Sequence, residues 1–538
     1  MASAQGRKVK RHPGHKSGSS QEAQSAHQTH VPDPFDAAFA QQRPFGDSDY
    51  LHEQLHVRYK SRLEKIAEAL PVASELSRAM DRATPYGRYR ILGDPVVRRT
   101  VHLALHHVCN SVQDAALLAA CEEVFRETLA HMERGHQSGP LEYTGTELRR
   151  LGAERSPSIW SEERGDDLFG RSFRKIVHDN FSGEALCTPS GADLAKLAKG
   201  AQLLSALLPL SAGSVLSHTH MVVIVPHAGI WKQKASCSEF DISGTIFLNR
   251  DMLGNPWWVA EHLLHESLHQ KLYDFRHTHS LMTEDLSPDV APKDGAAAVV
   301  SIWNVAGATR SNEWDTFRSV AAFHVYVHLA VLCAQAERRK TELAKRFGTP
   351  EASFPAMTHR REAFERAQYL GRHIQASCWR ELGLAGRRFV EWLMSVMNAL
   401  DPAPPPPESV YLHLLLHRYM VEATLIASRK LSPELAKQLL QLLDEEAQTI
   451  GRVLLAIRAA GPDVDRLRDV ILRGPDKGPE AAFLRFRSVV TRILQSLSPD
   501  GYGLRRASAA DSMAPFEMMI RAMVDRSSQQ LIPVLSGH

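Results

Sequence analysis

The segment from residue 244 to residue 275 constrains the fold of this chain more than any other. It begins with a short β-branched run, GTIFLN (244–249), which predicts a buried strand, and the turn sequence RDMLGNP follows. Pro256 then opens a long run with helical periodicity, since proline is favoured in the first turn of a helix. A strand that leads through a turn into a long helix predicts a small sheet packed beside that helix.

The predicted helix contains LLHESLHQKLYDF (263–275), in which His265, Glu266 and His269 form the pattern HExxH. Residues four apart lie on the same face of a helix, so both histidines can direct a ring nitrogen at one ion. Glu266 lies beside the first ligand and can reach an ion-bound water. This spacing and these residue types are typical of metal sites.

Most of the remaining chain has helical periodicity. Apolar residues recur at spacings of three and four over 49–200, 318–347 and 358–400, and HMVVIVP (220–226) predicts a second strand. We therefore expect a mainly α fold with a small β element (α+β). In this fold a zincin-like HExxH helix lies next to a short sheet, between helical N- and C-terminal regions.

Composition divides the chain into five predicted parts. Residues 1–48 are rich in small and polar residues and predict a disordered basic and polar tail. The proline cluster at 403–408 predicts a linker. The other parts are a helical N-terminal region (49–200), an HExxH metal-binding core (201–402) and a helical C-terminal region (409–538).

Charge and cysteine content narrow the function classes. Among 538 residues, 64 Lys and Arg nearly balance 61 Asp and Glu, so we expect no nucleic-acid partner. Six cysteines without CxxC pairs predict reduced thiols and a cytoplasmic protein. No signal-peptide pattern and no apolar run of about 18 residues are present, so we expect no membrane partner. The GxSxG motif and the P-loop are absent as well, which argues against a serine hydrolase and a P-loop ATPase.

Two histidines do not hold a catalytic metal well, so a third ligand is needed. Leu272 and Phe275 stand where a metzincin would have Gly and His, which excludes that class. The second histidine pair at i and i+4, His324 and His328, lies in the apolar helix sequence AAFHVYVHLAV. We expect at least one of these two to bind the ion. The remaining candidates follow the HExxH helix more closely: His277, His279, Glu284 and Glu313.

The segments LLHESLHQKL, SIWNVAGATRSNEWDTFRSVAAFHVYVHLA and CWRELGLAGRRFVEWL carry a family resemblance over roughly 200–400. The chain resembles the HExxH-motif, 2-oxoglutarate-dependent peptide β-hydroxylases, which are often found near ribosomally made peptide products. The resemblance implies Fe(II), 2-oxoglutarate and O2, and hydroxylation of a carbon in a peptide side chain. It implies His265 and His269 as ligands and places His324 third, with His328 as its alternative.

Two further roles follow from this resemblance. The distal carboxylate of 2-oxoglutarate needs a fork of N–H donors, and Arg318 and Arg310 are placed to provide it. Glu266 would orient a ligand or water, or would be a ligand itself in place of the third histidine.

Two other functional hypotheses remain open from the sequence. A zinc-dependent metallopeptidase would use Glu266 as the general base, and Tyr326 or His328 as the donor to the oxyanion. A non-catalytic helical scaffold would bind peptides in its helical grooves around a structural metal site. All three readings have a peptide or protein partner.

Overall fold

A computed structural model of the chain describes residues 33–402, apart from a few short gaps, and scattered positions between 404 and 443. The gaps are residues 111–113, 143–150, 152–155, 165, 184–185, 284–296, 305–311 and 351–356. The predicted linker, most of the predicted C-terminal region and residues 1–32 of the predicted tail lie outside the described residues.

The described chain is mainly helical, as the sequence predicts. The helices before residue 221 are α1 (Pro34–Gln41), α2 (Ser48–Ile66), α3 (Val72–Arg82), α4 (Pro85–Leu92), α5 (Pro95–Asn110), α6 (Ala115–Glu133), α7 (Leu168–Asn180), α8 (Gly191–Leu207) and α9 (Pro209–Leu216). Those after it are α10 (Pro256–Thr278), α11 (Thr316–Phe347), α12 (Arg360–His373) and α13 (Leu384–Leu400).

A four-stranded mixed sheet lies beside α10. Its strands are β1 (Ser158–Ile159), β2 (Met221–Val225), β3 (Ser236–Cys237) and β4 (Thr245–Asn249), in the order β1-β2-β4-β3. β1, β2 and β4 are parallel, and β3 runs antiparallel to β4 as the edge strand. A separate hairpin pairs β5 (Ala298–Val300) with β6 (Glu313–Asp315). The strands predicted at 220–226 and 244–249 are confirmed as β2 and β4.

Helix α10 is the centre of the fold. Asn255 caps its N-terminus by accepting a hydrogen bond from the Trp257 N–H, and Pro256 occupies the first turn. The helix packs against α2, α8, α9 and α11. Its contact with α8 is so close that a Cβ on Gly200 would lie 2.2 Å from Val259 Cγ1. Because α10 is enclosed on most sides, its direction and rotation are fixed by core packing.

The prediction that residues 1–48 are disordered is wrong for the last part of this segment. Residues 34–41 form α1, and Phe39 and Phe45 are buried in the main core. Asp36 accepts hydrogen bonds from the N–H groups of Leu210 and Ser211, at 3.0 and 2.8 Å, and so ties α1 to α9. Phe39, Phe45 and the Asp36 carboxylate hold this segment in place, and its helix sequence, PFDAAFAQ, is more apolar than the residues before it.

The expectation that the chain has no apolar run of about 18 residues is wrong for α11, which is long and apolar enough to cross a membrane by its length and composition alone. Within its most apolar 18-residue window, however, 72% of the residues are buried inside the protein. Packing against α10 and α12 therefore accounts for its apolar character.

Candidate metal centre

His265, Glu266 and His269 form a compact group of potential metal ligands on α10. One ligand atom from each residue lies within 4.8 Å of the other two. Two atoms that bind one ion at about 2.0–2.2 Å lie within about 4.4 Å of each other, so small side-chain rotations would close the group around an ion. Glu266 and His269 are also at i and i+3, a spacing that is used for metal ligation on helices.

The carboxylate of Glu266 is held by the edge strand. Ser236 Oγ donates to one oxygen at 2.6 Å, and Ser238 Oγ donates to the other at 2.8 Å. Burial raises the pKa of Glu266, but the neighbouring His265 and His269 and the two serine hydroxyls outweigh it and hold the pKa below its usual value. Glu266 is therefore an oriented anion at neutral pH, with lone pairs left for a cation.

Burial also lowers the pKa of His265 below its ordinary value of 6.5. This imidazole is therefore neutral at physiological pH and has a lone pair available, as a metal ligand requires. Because Glu266 is ionised and His265 is neutral, an ion can bind at neutral pH without first displacing a proton from either residue.

His262 is a functional candidate that the sequence reasoning missed. Its ring stacks on Trp258 at 3.8 Å and lies nearly parallel to the ring of His265, with centroids 5.7 Å apart. Nδ1 lies 3.0 Å from the Trp258 carbonyl oxygen, which can only accept, so Nδ1 carries the proton. Nε2 is left as an acceptor beside the metal group. The sequence signal for His262 is that it precedes His265 by three residues, which places it on the same face of the helix.

His324 and His328 lie in an aromatic cluster on α11. The ring of His328 stacks on Phe39 at 3.7 Å, and that of His324 packs edge-on against Phe389 at 5.0 Å. Both are buried, and burial lowers the pKa of His324 well below its ordinary value, with smaller contributions from His328, Lys271 and His269. Within the described chain, the ligand group defined by the 4.8 Å separation contains neither histidine. Their role as third ligand stays a prediction, and Glu266 is the carboxylate alternative.

Two of the arginine and glutamate candidates, Arg318 and Glu313, lie within the described residues. Arg318 stacks over Trp314 of β6, with its guanidinium carbon 4.7 Å from the ring centre. Glu313 is exposed on the same strand. Arg310 and Glu284 lie outside the described residues. The predicted contact of Arg318 or Arg310 with 2-oxoglutarate therefore stays a prediction.

The histidines after the HExxH motif have other contacts. His277 packs against Phe240, and its Nδ1 is 3.4 Å from an Arg62 nitrogen. His279 Nε2 is 3.2 Å from the Tyr50 hydroxyl. Tyr326, the other candidate oxyanion donor, accepts a hydrogen bond from Arg366 at 3.0 Å. These residues are outside the 4.8 Å group formed by His265, Glu266 and His269.

Arg276 is an additional cation on the metal-binding face of α10, seven residues after His269. Its guanidinium carbon is 4.7 Å from the ring centre of Phe240 and 4.4 Å from that of Phe317. Two aromatic rings on different elements thus fix the position of this cation near the metal group. Its chemistry suits a carboxylate on a bound molecule, as was expected of Arg318.

We expect Ser238→Ala to weaken metal binding by about 10–100-fold, the usual effect of removing a group that orients a ligand. The substitution deletes one of the two hydroxyls that hold Glu266 and leaves the rest of the metal group unchanged. Titration of the apoprotein with Fe(II) under argon would measure this effect. Ser243→Ala is a suitable control, since the Ser243 hydroxyl bonds only to the Phe240 carbonyl oxygen among the described residues. Equal affinities for the two variants would contradict the orienting role.

No family model and no curated protein that was searched matches this chain.

Proposed function

We propose that this protein is an Fe(II)- and 2-oxoglutarate-dependent oxygenase that hydroxylates a side chain of a peptide, with ribosomally made peptides as the first substrates to test. The observation that carries the proposal is the donor set of the described ligand group. It contains two histidines and one carboxylate, His265, His269 and Glu266. This set is typical of non-haem Fe(II) oxygenases, which leave the other coordination positions open.

The residues present fit an iron ion. Imidazole nitrogens and a carboxylate oxygen are ligands that Fe(II) accepts, and all three come from one face of one helix. These three residues would hold the ion, and its remaining coordination positions would be available to 2-oxoglutarate and O2. In the overall reaction one oxygen atom enters the substrate C–H bond, and the other enters the succinate that forms as 2-oxoglutarate loses CO2.

The protein's own residues have separate roles in this proposal. Ser236 and Ser238 orient Glu266, and the buried surroundings keep His265 neutral. Arg276 supplies positive charge on the same face for the distal carboxylate of 2-oxoglutarate, a role that Arg318 and Arg310 share as candidates. His262 presents an acceptor nitrogen to a substrate N–H or O–H group.

The experiment is a test of coupled turnover with purified full-length protein loaded with Fe(II) under argon. We expect succinate to form from 2-oxoglutarate only when both Fe(II) and O2 are present, and not with His269→Ala. Slow turnover without a peptide is sufficient for this readout. If no succinate forms with iron-loaded protein, the proposal is wrong.

The zinc metallopeptidase is the second candidate, because the edge strand β3 lies directly beside the HExxH helix. Peptidases use such an edge to align an extended substrate. Glu266→Gln separates the two functions. As a general base, Glu266 can be replaced without loss of zinc, and only hydrolysis would stop. As an iron ligand, its replacement lowers metal affinity together with succinate formation.

A further inference from the structure

We propose that the substrate peptide binds as an additional β-strand along the free edge of β3, beside the metal group. This inference rests on the proposed function, since it describes how the substrate of that site is held. The occupant is an extended segment of a peptide chain, recognised through its backbone.

The hydrogen-bonding pattern shows which backbone groups point outward. The Asn249 N–H donates to the Ala235 carbonyl oxygen at 2.9 Å, and Ser236 is opposite Leu248 in the antiparallel ladder. Residues 235 and 237 therefore direct their backbone groups toward β4. By alternation, the N–H and C=O groups of Ser236 point away from the sheet.

The outward groups have no backbone partner among the described residues. Neither Ser236 nor Ser238 takes part in the backbone hydrogen bonds outside the sheet. Ser238 is nevertheless buried, and Ser236 is half-buried. Edge groups of this kind are completed by pairing with another strand, and an extended peptide supplies the alternating donors and acceptors that they require.

The free edge is rigidly connected to the metal group. The hydroxyls of Ser236 and Ser238 both bond to Glu266, so the strand and the carboxylate keep a fixed separation. Four residues after Ser236, the ring of Phe240 packs edge-on against Tyr273 at 5.2 Å. The chain from 236 to 240 therefore follows α10 from Glu266 to Tyr273.

This arrangement determines which part of the peptide reacts. Side chains of an added strand alternate between the two faces of the sheet. Peptide side chains on the face of the sheet next to α10 would point toward His265 and His269. Peptide side chains on the other face would point away from them. One side chain in the paired segment is therefore presented to the metal, while its neighbours in sequence are turned away. Which residue of the peptide is hydroxylated therefore depends on the register in which the peptide pairs with β3.

The test uses two substitutions at one position. Ser236→Pro removes the outward N–H, and proline is tolerated on an edge strand where that group faces outward. Ser236→Ala removes the same hydroxyl bond to Glu266 but keeps the N–H. The difference between the two variants therefore reports the N–H, and equal unfolding midpoints would show that both are folded.

The probe is a displayed library of linear 12-residue peptides, selected on the full-length wild-type chain and counter-selected on an unrelated immobilised protein. We expect enriched peptides that bind Ser236→Ala about as tightly as wild type and bind Ser236→Pro about fivefold to tenfold more weakly. Single backbone N-methylation should weaken binding at every second position of the bound segment.

Three results would overturn the proposal: no enrichment, enriched peptides that bind Ser236→Pro as tightly as Ser236→Ala, or a loss on N-methylation without a two-residue period. Each readout is binding, which keeps it separate from catalysis. If N-methylation weakens binding with a two-residue period but no succinate forms, the oxygenase proposal is wrong and the docking proposal stands. If the protein forms succinate but its selected peptides bind Ser236→Pro as tightly as wild type, the docking proposal is wrong and the oxygenase proposal stands.

Discussion

Replacing Asp274 with asparagine is expected to lower the free energy of unfolding by about 3–5 kcal/mol. Asp274 is fully buried on the face of α10 opposite the metal group. It accepts hydrogen bonds from Arg98 at 2.6 Å, from His218 at 2.6 Å and from Tyr89 at 3.0 Å. Arg98 is also buried, so the substitution leaves a cation in the core without its anion.

Urea unfolding of the variant and wild type measures this loss. The control is Asp179→Asn, which breaks the exposed pair with Lys175 and should cost less than about 0.5 kcal/mol. If the two substitutions have equal effects, the buried pair contributes no more to stability than a surface pair. A hydrophobic replacement of both Arg98 and Asp274 should recover part of the loss, because no unpaired charge remains.

The pH dependence of this effect has a definite sign. Burial raises the pKa of Asp274, but Arg98 and His218 outweigh it and keep the pKa well below its ordinary value. The carboxylate therefore stabilises the native state at every pH above the pKa of an unfolded aspartate, about 3.9. We expect the difference between wild type and Asp274→Asn to stay constant down to about pH 5 and to narrow below pH 4.

The second large effect concerns the metal ligands. We expect His265→Ala and His269→Ala each to reduce Fe(II) affinity by more than about 100-fold, beyond the usual effect of losing an orienting group. Succinate formation should be lost with the metal. Elemental analysis of the purified variants and anaerobic titration with Fe(II) measure this directly, and circular dichroism checks that the helices are retained.

The same measurement identifies the third ligand. If Glu266 is the third ligand, as in the proposed ligand set, Glu266→Gln loses most of its affinity for Fe(II), whereas His324→Gln and His328→Gln keep theirs within about threefold. The reason is that the carboxylate lies in the 4.8 Å group, whereas the two α11 histidines are packed among Phe39 and Phe389. Loss of metal from His324→Gln, with retention in Glu266→Gln, would make His324 the third ligand instead.

Local sequence determined the elements that carry the site. The β-branched run at 244–249 and the helical run after Pro256 predicted β4 and α10, because both signals depend on neighbouring residues. The spacing of His265 and His269 placed them on one face for the same reason. Helix periodicity is a local property, and it needs no knowledge of distant contacts.

Tertiary structure alone decided the surroundings of those residues. Ser236 and Ser238 are 30 and 28 residues from Glu266 in sequence, and a two-residue strand gives no detectable pattern. α1 is held by Phe39 and Asp36 against elements far along the chain, so the average composition of residues 1–48 was misleading for this helix. Asp274 meets Arg98 across 176 positions. Such contacts depend on how the helices pack, which periodicity within one segment does not encode.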